Sequence, residues 1–225
     1  EGGGWFGKGM FEAGYVPEVF RAAAGLCYSA IGEVLPSEHG KFSTAVRVPI
    51  GVVGVISPWN MPGILTARGF AFPMAAGNTI VLKPSEDTPY AGGLHFAEVV
   101  KEAGVPDGVF NVVQGQGDVG AALLQDPRIN KVSLTGSVAT GRKVYQSAAA
   151  DLKQVTLELG GKSPLIIFED ADLDNAVGGA ILVAKRAPWA AHFSQPGGHR
   201  WRRTFRSLAV AVDGAIFVAK RSPLA

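Results

Sequence analysis

Apolar and polar positions along the chain predict a regular series of strands and helices. Apolar residues at 10–29 recur at helical spacing, which predicts an amphipathic helix. From residue 51 onward, short apolar runs alternate with stretches of helical spacing. The predicted strands are 51–56, 79–82, 109–113, 131–134 and 154–159, and the helices between them are 64–76, 89–103, 118–125 and 138–150. This alternation predicts an α/β fold with an open, mainly parallel sheet and helices on both faces.

Weaker patterns flank this series. Two β-prone runs, 31–35 and 43–48, are separated by a turn-rich stretch, which predicts a hairpin. After residue 161 the sequence predicts a strand at 164–168. A helix with an acidic, N-capped start follows and runs to about residue 185. Beyond that point neither periodicity is present, so no regular element is predicted.

The composition is that of a globular protein. Of 225 residues, 47% are hydrophobic and 18% are charged, which supplies a core and excludes a disordered chain. The single cysteine, Cys27, excludes a disulfide framework and a Cys-x-x-Cys motif, and we predict no metal site. No apolar run reaches the roughly 20 residues of a membrane span. With no signal peptide at the start either, we expect a cytoplasmic protein without a membrane partner.

Charge is distributed unevenly. The net charge is +2, from 21 Lys and Arg against 19 Asp and Glu. Seven of the basic residues and one acidic residue, Asp213, lie in 186–225, so this tail is strongly basic. Such a tail is able to bind polyanions. No nucleic-acid-binding motif accompanies it, and we therefore expect a solvated tail and no nucleic-acid partner.

Polar residues follow the first two strands of the predicted sheet. The first strand leads into Ser57-Pro58-Trp59-Asn60, where the Asn60 amide is a donor able to stabilise an oxyanion; alternatively, the segment is an ordinary turn. The second strand leads into Lys83 and Glu86, which are able to hold ribose hydroxyls. An acidic group there repels a 2′-phosphate and favours NAD over NADP. As an isolated pair, these residues are more typical of solvated surface charges.

Glycines and a carboxylate follow the other strands. Residues 115–120 form a Gly-x-Gly-x-x-Gly pattern between a strand and a helix, but the acidic residue expected about 20 positions on is missing. Gly136 and Ser137 open the next helix, whose N-terminus is able to hold a pyrophosphate. The last strand ends at Glu158, and burial there would raise the carboxyl pKa enough for base chemistry.

The ordered set of motifs resembles one family. The sequences ISPWNMP (56–62), KPSE (83–86), LTGS (134–137) and LELGGKSP (157–164) follow one another as in the NAD(P)-dependent aldehyde dehydrogenase superfamily. The resemblance covers about residues 6–185. The segment EVLPSEHGK (33–41) looks similar to the benzaldehyde and vanillin dehydrogenase branch.

This resemblance implies roles for particular residues. Asn60 matches the oxyanion-hole amide, and Glu158 matches the general base that activates water to hydrolyse the thioester intermediate. It implies NAD as cofactor and a small aldehyde as substrate. The residues that match cofactor-binding positions are Ile56, Ser57, Pro58, Trp59, Lys83, Ser85, Glu86, Gly117, Gly136, Ser137, Leu159 and Gly160.

The resemblance also implies a domain organisation. A Rossmann-like NAD-binding domain would comprise 1–31 and 51–161, with an oligomerisation-type hairpin at 32–50. This hairpin implies a homo-oligomer for the full-length proteins of the family. Residues 162–185 would begin a truncated catalytic domain, and 186–225 would form a basic tail outside the family pattern.

One departure from the family is severe. The family nucleophile is a cysteine in a Gly-Gln-x-Cys segment that follows the general base, whereas no cysteine follows Cys27. We expect Cys27 to be a core residue of the first helix. Two hypotheses result: an N-terminal fragment of an aldehyde-oxidising enzyme that lacks its nucleophile, or a non-catalytic NAD-binding remnant.

Overall fold

A five-stranded parallel sheet with helices on both faces forms the main part of the protein. The computed structural model describes residues 1–29 and 31–160, residues 171, 172, 174–176 and 178, and the backbone of 210–212 and 215–217. Its strands, in chain order after an N-terminal hairpin, are β3 (Val52–Ile56), β4 (Thr79–Lys83), β5 (Phe110–Val112), β6 (Lys131–Thr135) and β7 (Gln154–Glu158). Their spatial order is β5-β4-β3-β6-β7, and every neighbouring pair is parallel. The predicted α/β class is therefore confirmed.

Within residues 1–160, five α-helices accompany the strands. They are α1 (Phe6–Leu26), α2 (Pro62–Ala75), α3 (His95–Glu102), α4 (Gly117–Gln125) and α5 (Val138–Ala150). The predicted limits are close except at α1, which begins earlier than expected. Gly7 and Gly9 lie in its first turns, and their low helix propensity conceals that start in the sequence.

The helix predicted at 89–103 has two parts. A π-helical turn, Tyr90–Leu94, precedes the regular helix α3. A Cβ on Gly93 would lie 2.6 Å from Cγ of Pro84, so this turn passes closer to the end of β4 than a larger residue allows. The wide turn is thus explained by close packing at two consecutive glycines, Gly92 and Gly93.

Each face of the sheet has its own core. On one face, Val19 and Ala23 of α1 pack with Phe70 of α2 and with the inward residues of β3 and β4. The Phe70 ring centroid lies 4.5 Å from that of Phe110. On the other face, α4 and α5 cover β3, β6 and β7. Because α2 and α3 lie on one face and α4 and α5 on the other, the connections change face between β5 and β6.

The predicted hairpin is present as β1 (Gly32–Leu35) and β2 (Ser43–Val46), paired antiparallel. Its apolar side chains are largely exposed: Val34 is 68% and Phe42 is 80% exposed. Within the part of the chain that the structure describes, no helix is long and apolar enough to cross a membrane.

The chain divides into two compact units, Glu1–Leu159 and Gly160–Ala225. The strand predicted at 164–168 and most of the helix predicted to end near 185 lie outside the described residues. In the second unit, Asp172 accepts hydrogen bonds from the backbone amides of Asp174 (3.0 Å) and Asn175 (3.2 Å), the N-cap that the sequence predicted.

The prediction of no regular element beyond residue 185 is wrong at one place. Strands β8 (Val210–Val212) and β9 (Ala215–Phe217) pair antiparallel, with Val212 opposite Ala215. The two residues between them in the sequence are Asp213-Gly214, a pair typical of two-residue hairpin turns. The surrounding tail has no helical or strand periodicity, so periodicity alone does not predict these two short strands.

Candidate functional site

The ends of four parallel strands bring most of the predicted site residues to one edge of the sheet. Ile56 is in register with Lys83 on one side and with Leu134 on the other, and Thr135 is in register with Glu158. We call this the carboxyl edge. The strand order reverses its direction between the neighbouring strands β3 and β6, and α/β proteins bind ligands at such a switch point.

The β3–α2 loop, residues 57–61, begins at this edge. Ser57 is buried, and its Oγ accepts a hydrogen bond from Oγ1 of the buried Thr66 at 2.7 Å. Its backbone amide donates to the Lys83 carbonyl at 3.3 Å. The Ser57 side chain thus holds the loop to α2.

Asn60 carries a buried polar atom without a partner. Pro58, Trp59 and Asn60 are half-buried in this loop. Among the described residues, Oδ1 of Asn60 has no hydrogen-bond partner. A buried acceptor without a partner has a desolvation penalty that a donor on a bound group would relieve. The unpaired atom is the acceptor oxygen, whereas an oxyanion would take the Nδ2 donors of the same amide.

Lys83 and Glu86 form an ion pair at the end of β4. Nζ of Lys83 lies 3.0 Å from Oε2 of Glu86. Ser85 is buried between them in sequence, and its Oγ accepts from the amide of Asp87 at 3.3 Å, which shapes the turn. The backbone amide of Glu86 and then the Lys83 ammonium lower the pKa of the Glu86 carboxyl. An ionised, exposed carboxylate therefore lies at the carboxyl edge at neutral pH.

The glycine-rich segment before α4 needs glycine at one position. Gly115 has φ of 151°, and a Cβ there would lie 2.3 Å from Cγ2 of Val119. Gly117 is exposed and is the first residue of α4. This pattern therefore shapes the turn into α4, and the missing acidic residue does not matter for that role.

Gly136 and Ser137 lead directly into α5. Ser137 is the N-cap, and its Oγ accepts from the Thr140 amide at 3.1 Å. No acidic residue lies in the first turn of this helix. The positive end of the α5 dipole therefore has no carboxylate of its own helix beside it.

Glu158 and Leu159 end the last strand. The amide of Gly136 donates to the Glu158 carbonyl at 3.0 Å, which joins this strand end to the start of α5. The Glu158 side chain is exposed in the described part of the chain, so the expected burial is not found: β7 is the edge strand of the sheet. Leu159 packs on Gly141 of α5, where a Cβ would lie 2.5 Å from Cδ2 of Leu159. Gly160 follows in the second unit.

Cys27 is exposed, so its predicted place in the core is wrong. Helix α1 ends at Leu26, and Cys27 is its C-cap residue. Its Sγ is 3.7 Å from the carbonyl oxygen of Ala75, the last residue of α2. Asn60 precedes the first residue of that helix, and 14 residues of helix separate the two ends by about 21 Å. Cys27 is therefore remote from the carboxyl edge.

The ionisable side chains of the described residues form no candidate metal site. In residues 1–160 and the few described beyond them, no group of three or more His, Cys, Asp or Glu side chains is arranged to hold a metal ion.

Comparison with known proteins decides the family. The sequence profile of the aldehyde dehydrogenase family matches residues 1–185. The chain belongs to the aldehyde dehydrogenase family. The prediction made from the four motifs is confirmed, and residues 186–225 lie outside the matched region.

Individual family members are similar over most of this chain. Betaine aldehyde dehydrogenase from a strain of Cereibacter sphaeroides is 52% identical over 159 residues, which are 71% of this chain and 32% of that protein. Vanillin dehydrogenase from a strain of Amycolatopsis is 46% identical over 195 residues, 87% of this chain and 39% of that protein. The chain spans about a third of the length of these relatives.

A solved structure of the family has the same fold. The crystal structure of an NAD-dependent aldehyde dehydrogenase from Sinorhizobium meliloti matches with a TM-score of 0.69 at 42% identity. The match covers 77% of this chain and 35% of that chain. The Rossmann-like character of the sheet is thus confirmed.

One residue of interest was not predicted. Glu12 is a buried carboxylate of α1, and its Oε2 accepts from the amide of Gly63 at the start of α2. Glu12 shares a helix face with Val16 and Val19. An acidic residue on an apolar helix face is the sequence feature that would have indicated a buried carboxylate.

Proposed function

We propose that this chain forms the NAD-binding part of an aldehyde dehydrogenase that oxidises an aldehyde to a carboxylic acid. The observation that carries the proposal is that an ion pair, a helix N-terminus and a side-chain amide lie at the ends of neighbouring strands in one parallel sheet. Family membership supplies the reaction class. The dehydrogenases of betaine aldehyde and vanillin among the relatives support a small aldehyde as substrate.

The residues at the carboxyl edge fit a dinucleotide. Lys83 and Glu86 would hold the hydroxyls of the adenosine ribose, since their ion pair offers both donors and acceptors. The N-terminus of α5 would hold the pyrophosphate. Its free backbone amides attract an anion, and the first turn of the helix contains no acidic residue that would repel one. The remaining proposed contacts are Ile56, Ser57, Pro58, Trp59, Ser85, Gly117, Gly136, Ser137, Leu159 and Gly160.

Two residues would take part in the chemistry. Asn60 would donate from its amide to the oxygen of the aldehyde as negative charge develops there. Glu158 would accept a proton from the water that releases the product, and its exposed position at the end of β7 leaves the carboxylate accessible. Bound NAD would supply the hydride acceptor that the oxidation needs.

A second candidate function is NAD binding without turnover. The position of Cys27 favours it for this chain acting alone, since the only thiol in the sequence lies beside the end of α2 that is remote from Asn60. The covalent step of the family needs a thiolate close to the oxyanion donor. We therefore propose that this chain binds NAD and does not by itself complete the reaction.

Titration of the 225-residue chain with NAD, followed by isothermal calorimetry, tests the proposed binding. We expect saturable binding that Lys83→Gln weakens about tenfold, as when a charge-assisted hydrogen bond is lost. Lys41→Gln is the matched control, because Lys41 forms an ion pair of the same spacing with Glu38 in the exposed hairpin. Equal affinities for the wild-type protein and Lys83→Gln would contradict the ribose assignment.

The hairpin of β1 and β2 supports a proposal of self-association. Its apolar side chains Val34, Phe42 and Val46 are more than half exposed, and burial against a second copy would remove this area from water. Sedimentation velocity would test this, with a dimer or larger species expected. Phe42→Ser should shift the protein to monomer.

The domain limits remain proposals. The division into units Glu1–Leu159 and Gly160–Ala225 supports a boundary near the end of β7. We keep 1–31 with 51–161 as the NAD-binding domain, 32–50 as the hairpin, 162–185 as the start of a catalytic domain, and 186–225 as a separate tail. A cytoplasmic location stays a prediction from the sequence.

A further inference from the structure

Glu12 is the only buried residue of α1 that is charged, and it contacts α2 rather than solvent. Its exposure is 7%. Oε2 accepts hydrogen bonds from the backbone amides of Gly63 at 2.8 Å and Ile64 at 3.3 Å. Oε1 pairs with Nζ of Lys8, one turn earlier in α1, at 2.6 Å. Both carboxylate oxygens are thus engaged.

Helix α2 has no side-chain cap of its own. Its N-cap residue, Met61, makes no side-chain hydrogen bond, and Pro62 at the first helical position has no amide to donate. The amides of Gly63 and Ile64 are therefore the first that need partners, and Glu12 supplies them from another helix. A carboxylate at this end also interacts favourably with the helix dipole.

Gly63 fits this contact. A Cβ on Gly63 would lie 3.2 Å from Oε2 of Glu12 and 3.4 Å from Cγ2 of Val16. The absence of a side chain lets the carboxylate come close to the backbone of α2. Both Glu12, as the acceptor, and Gly63, as a residue without a side chain, are thus needed for this contact.

The β3–α2 loop is fixed at both ends. At its start, the buried Ser57 is held by Thr66 and by the Lys83 carbonyl. At its end, α2 begins where Glu12 holds its first amides. Asn60 lies two residues before the start of α2, so its amide position depends on where that helix begins.

We propose that Glu12 is a positioning residue, which places the side-chain amide of Asn60 at the carboxyl edge by fixing the start of α2. The inference rests on the proposed function, in which Asn60 donates to an oxyanion. Such a donor acts only within about 2.7–3.1 Å of the developing charge, so small displacements reduce its effect. Lys8 balances the charge of Glu12, which limits repulsion of that oxyanion.

Nuclear magnetic resonance of the full 225-residue chain tests the proposal. The side-chain NH₂ resonances of Asn60, identified by their loss in Asn60→Ser, report its surroundings, and amide exchange reports the contacts of Gly63 and Ile64. In Glu12→Ala we expect both Asn60 resonances to shift and both amides to exchange about tenfold faster or more, as for loss of a hydrogen bond to a charged group. Glu12→Gln keeps an acceptor oxygen and should restore the Asn60 resonances most of the way.

The control is Glu18→Gln, on the same helix, where Glu18 pairs only with Arg21 in the described residues and both are exposed. It should leave Asn60, Gly63 and Ile64 unchanged. Faster amide exchange in Glu12→Ala without a shift of Asn60 would overturn the proposal, because Glu12 would then stabilise α2 without placing the amide. If Glu12→Ala does not fold, Glu12→Asp takes its place, because the shorter side chain withdraws the carboxylate from the amides of Gly63 and Ile64. Displaced Asn60 resonances in Glu12→Asp support the proposal, and resonances matching those of Glu18→Gln refute it.

NAD titration of the same samples separates this inference from the proposed function. Wild-type protein that fails to bind NAD contradicts the proposed function, whatever Glu12 does to Asn60. Binding of NAD together with an unmoved Asn60 in both Glu12 variants contradicts only the positioning role.

Discussion

Nζ of Lys83 lies 3.0 Å from Oε2 of Glu86, and the lysine side chain is 6% exposed whereas that of the glutamate is 51% exposed. The buried ammonium thus fixes the position of a carboxylate that still reaches solvent. In the proposed function this half-exposed carboxylate and its buried partner contact the ribose of NAD. The arrangement leads to two predictions.

The first prediction concerns cofactor choice. Glu86→Gln should reduce the preference for NAD over NADP by about tenfold, since it removes the repulsion between a carboxylate and a 2′-phosphate. Calorimetric titration with both cofactors measures this ratio. Glu38→Gln, which changes the corresponding residue of the Lys41 pair, should leave the ratio unchanged. Equal affinity of the wild-type chain for NAD and NADP would show that Glu86 does not discriminate.

The second prediction concerns pH. The pKa of Glu86 is lowered in the folded state, first by its backbone amide and then by Lys83. A lowered pKa adds stability above the pKa of the unfolded chain, and this contribution disappears as the pH falls through the folded value. The difference in urea midpoint between wild type and Glu86→Gln should therefore be constant from neutral pH to about pH 5 and shrink only below that. A difference that changes steadily between pH 8 and 6 would contradict this assignment.

The parallel sheet was predictable because its strands are short apolar runs that alternate with helical stretches, whereas the spatial order of the strands came from the structure. The predicted positions of Lys83, Asn60 and Glu158 at one edge follow from the same regularity. Glu12 and Cys27 were not predictable in this way. Their surroundings depend on how α1 packs against α2, a contact between helices that periodicity alone does not describe.

The third prediction concerns Lys153, a buried lysine at the start of β7. Its Nζ donates to the carbonyls of Leu124 at 2.7 Å and Asp126 at 2.6 Å, which lie at the end of α4. Lys153→Met should lower the free energy of unfolding by about 2–3 kcal/mol, because these buried carbonyls lose a charged donor. Urea denaturation measures the loss. Lys143→Met, at an exposed position of α5, should change stability by less than about 0.5 kcal/mol. Equal effects would show that the buried contact is unimportant.

The fourth prediction concerns the packing of Leu159 against α5. A Cβ at Gly141 would lie 2.5 Å from Cδ2 of Leu159, so Gly141→Ala must displace this flexible side chain. We expect a folded protein whose affinity for NAD falls several-fold, because Leu159 is a proposed cofactor contact. Gly14→Ala is the control: Gly14 lies in α1 with open space around it, and alanine there should stabilise the helix by about 0.5–1 kcal/mol. Unchanged NAD affinity in Gly141→Ala would argue against a role for Leu159.

The last prediction concerns catalysis by the chain alone. Hydride leaves an aldehyde efficiently only after a nucleophile has added to its carbon, and in this family that nucleophile is a thiolate facing the oxyanion donor. Cys27 is the single cysteine and lies by Ala75, about 21 Å along α2 from the Asn60 end. In their proposed roles Asn60 would stabilise charge and Glu158 would accept a proton, but neither would replace the covalent step. Because such groups act as a unit, absence of the nucleophile should remove most of the rate enhancement.

The measurement is NADH formation, followed at saturating NAD, from benzaldehyde and from several aliphatic aldehydes. Wild type and Cys27→Ser should both remain at the background rate while still binding NAD. If Cys27→Ser reduced the affinity for NAD, the thiol would be closer to the cofactor than its contact with Ala75 indicates. Turnover by the wild-type chain that disappears in Cys27→Ser would show that Cys27 reaches the carboxyl edge in solution, and the proposal of binding without turnover would then be wrong.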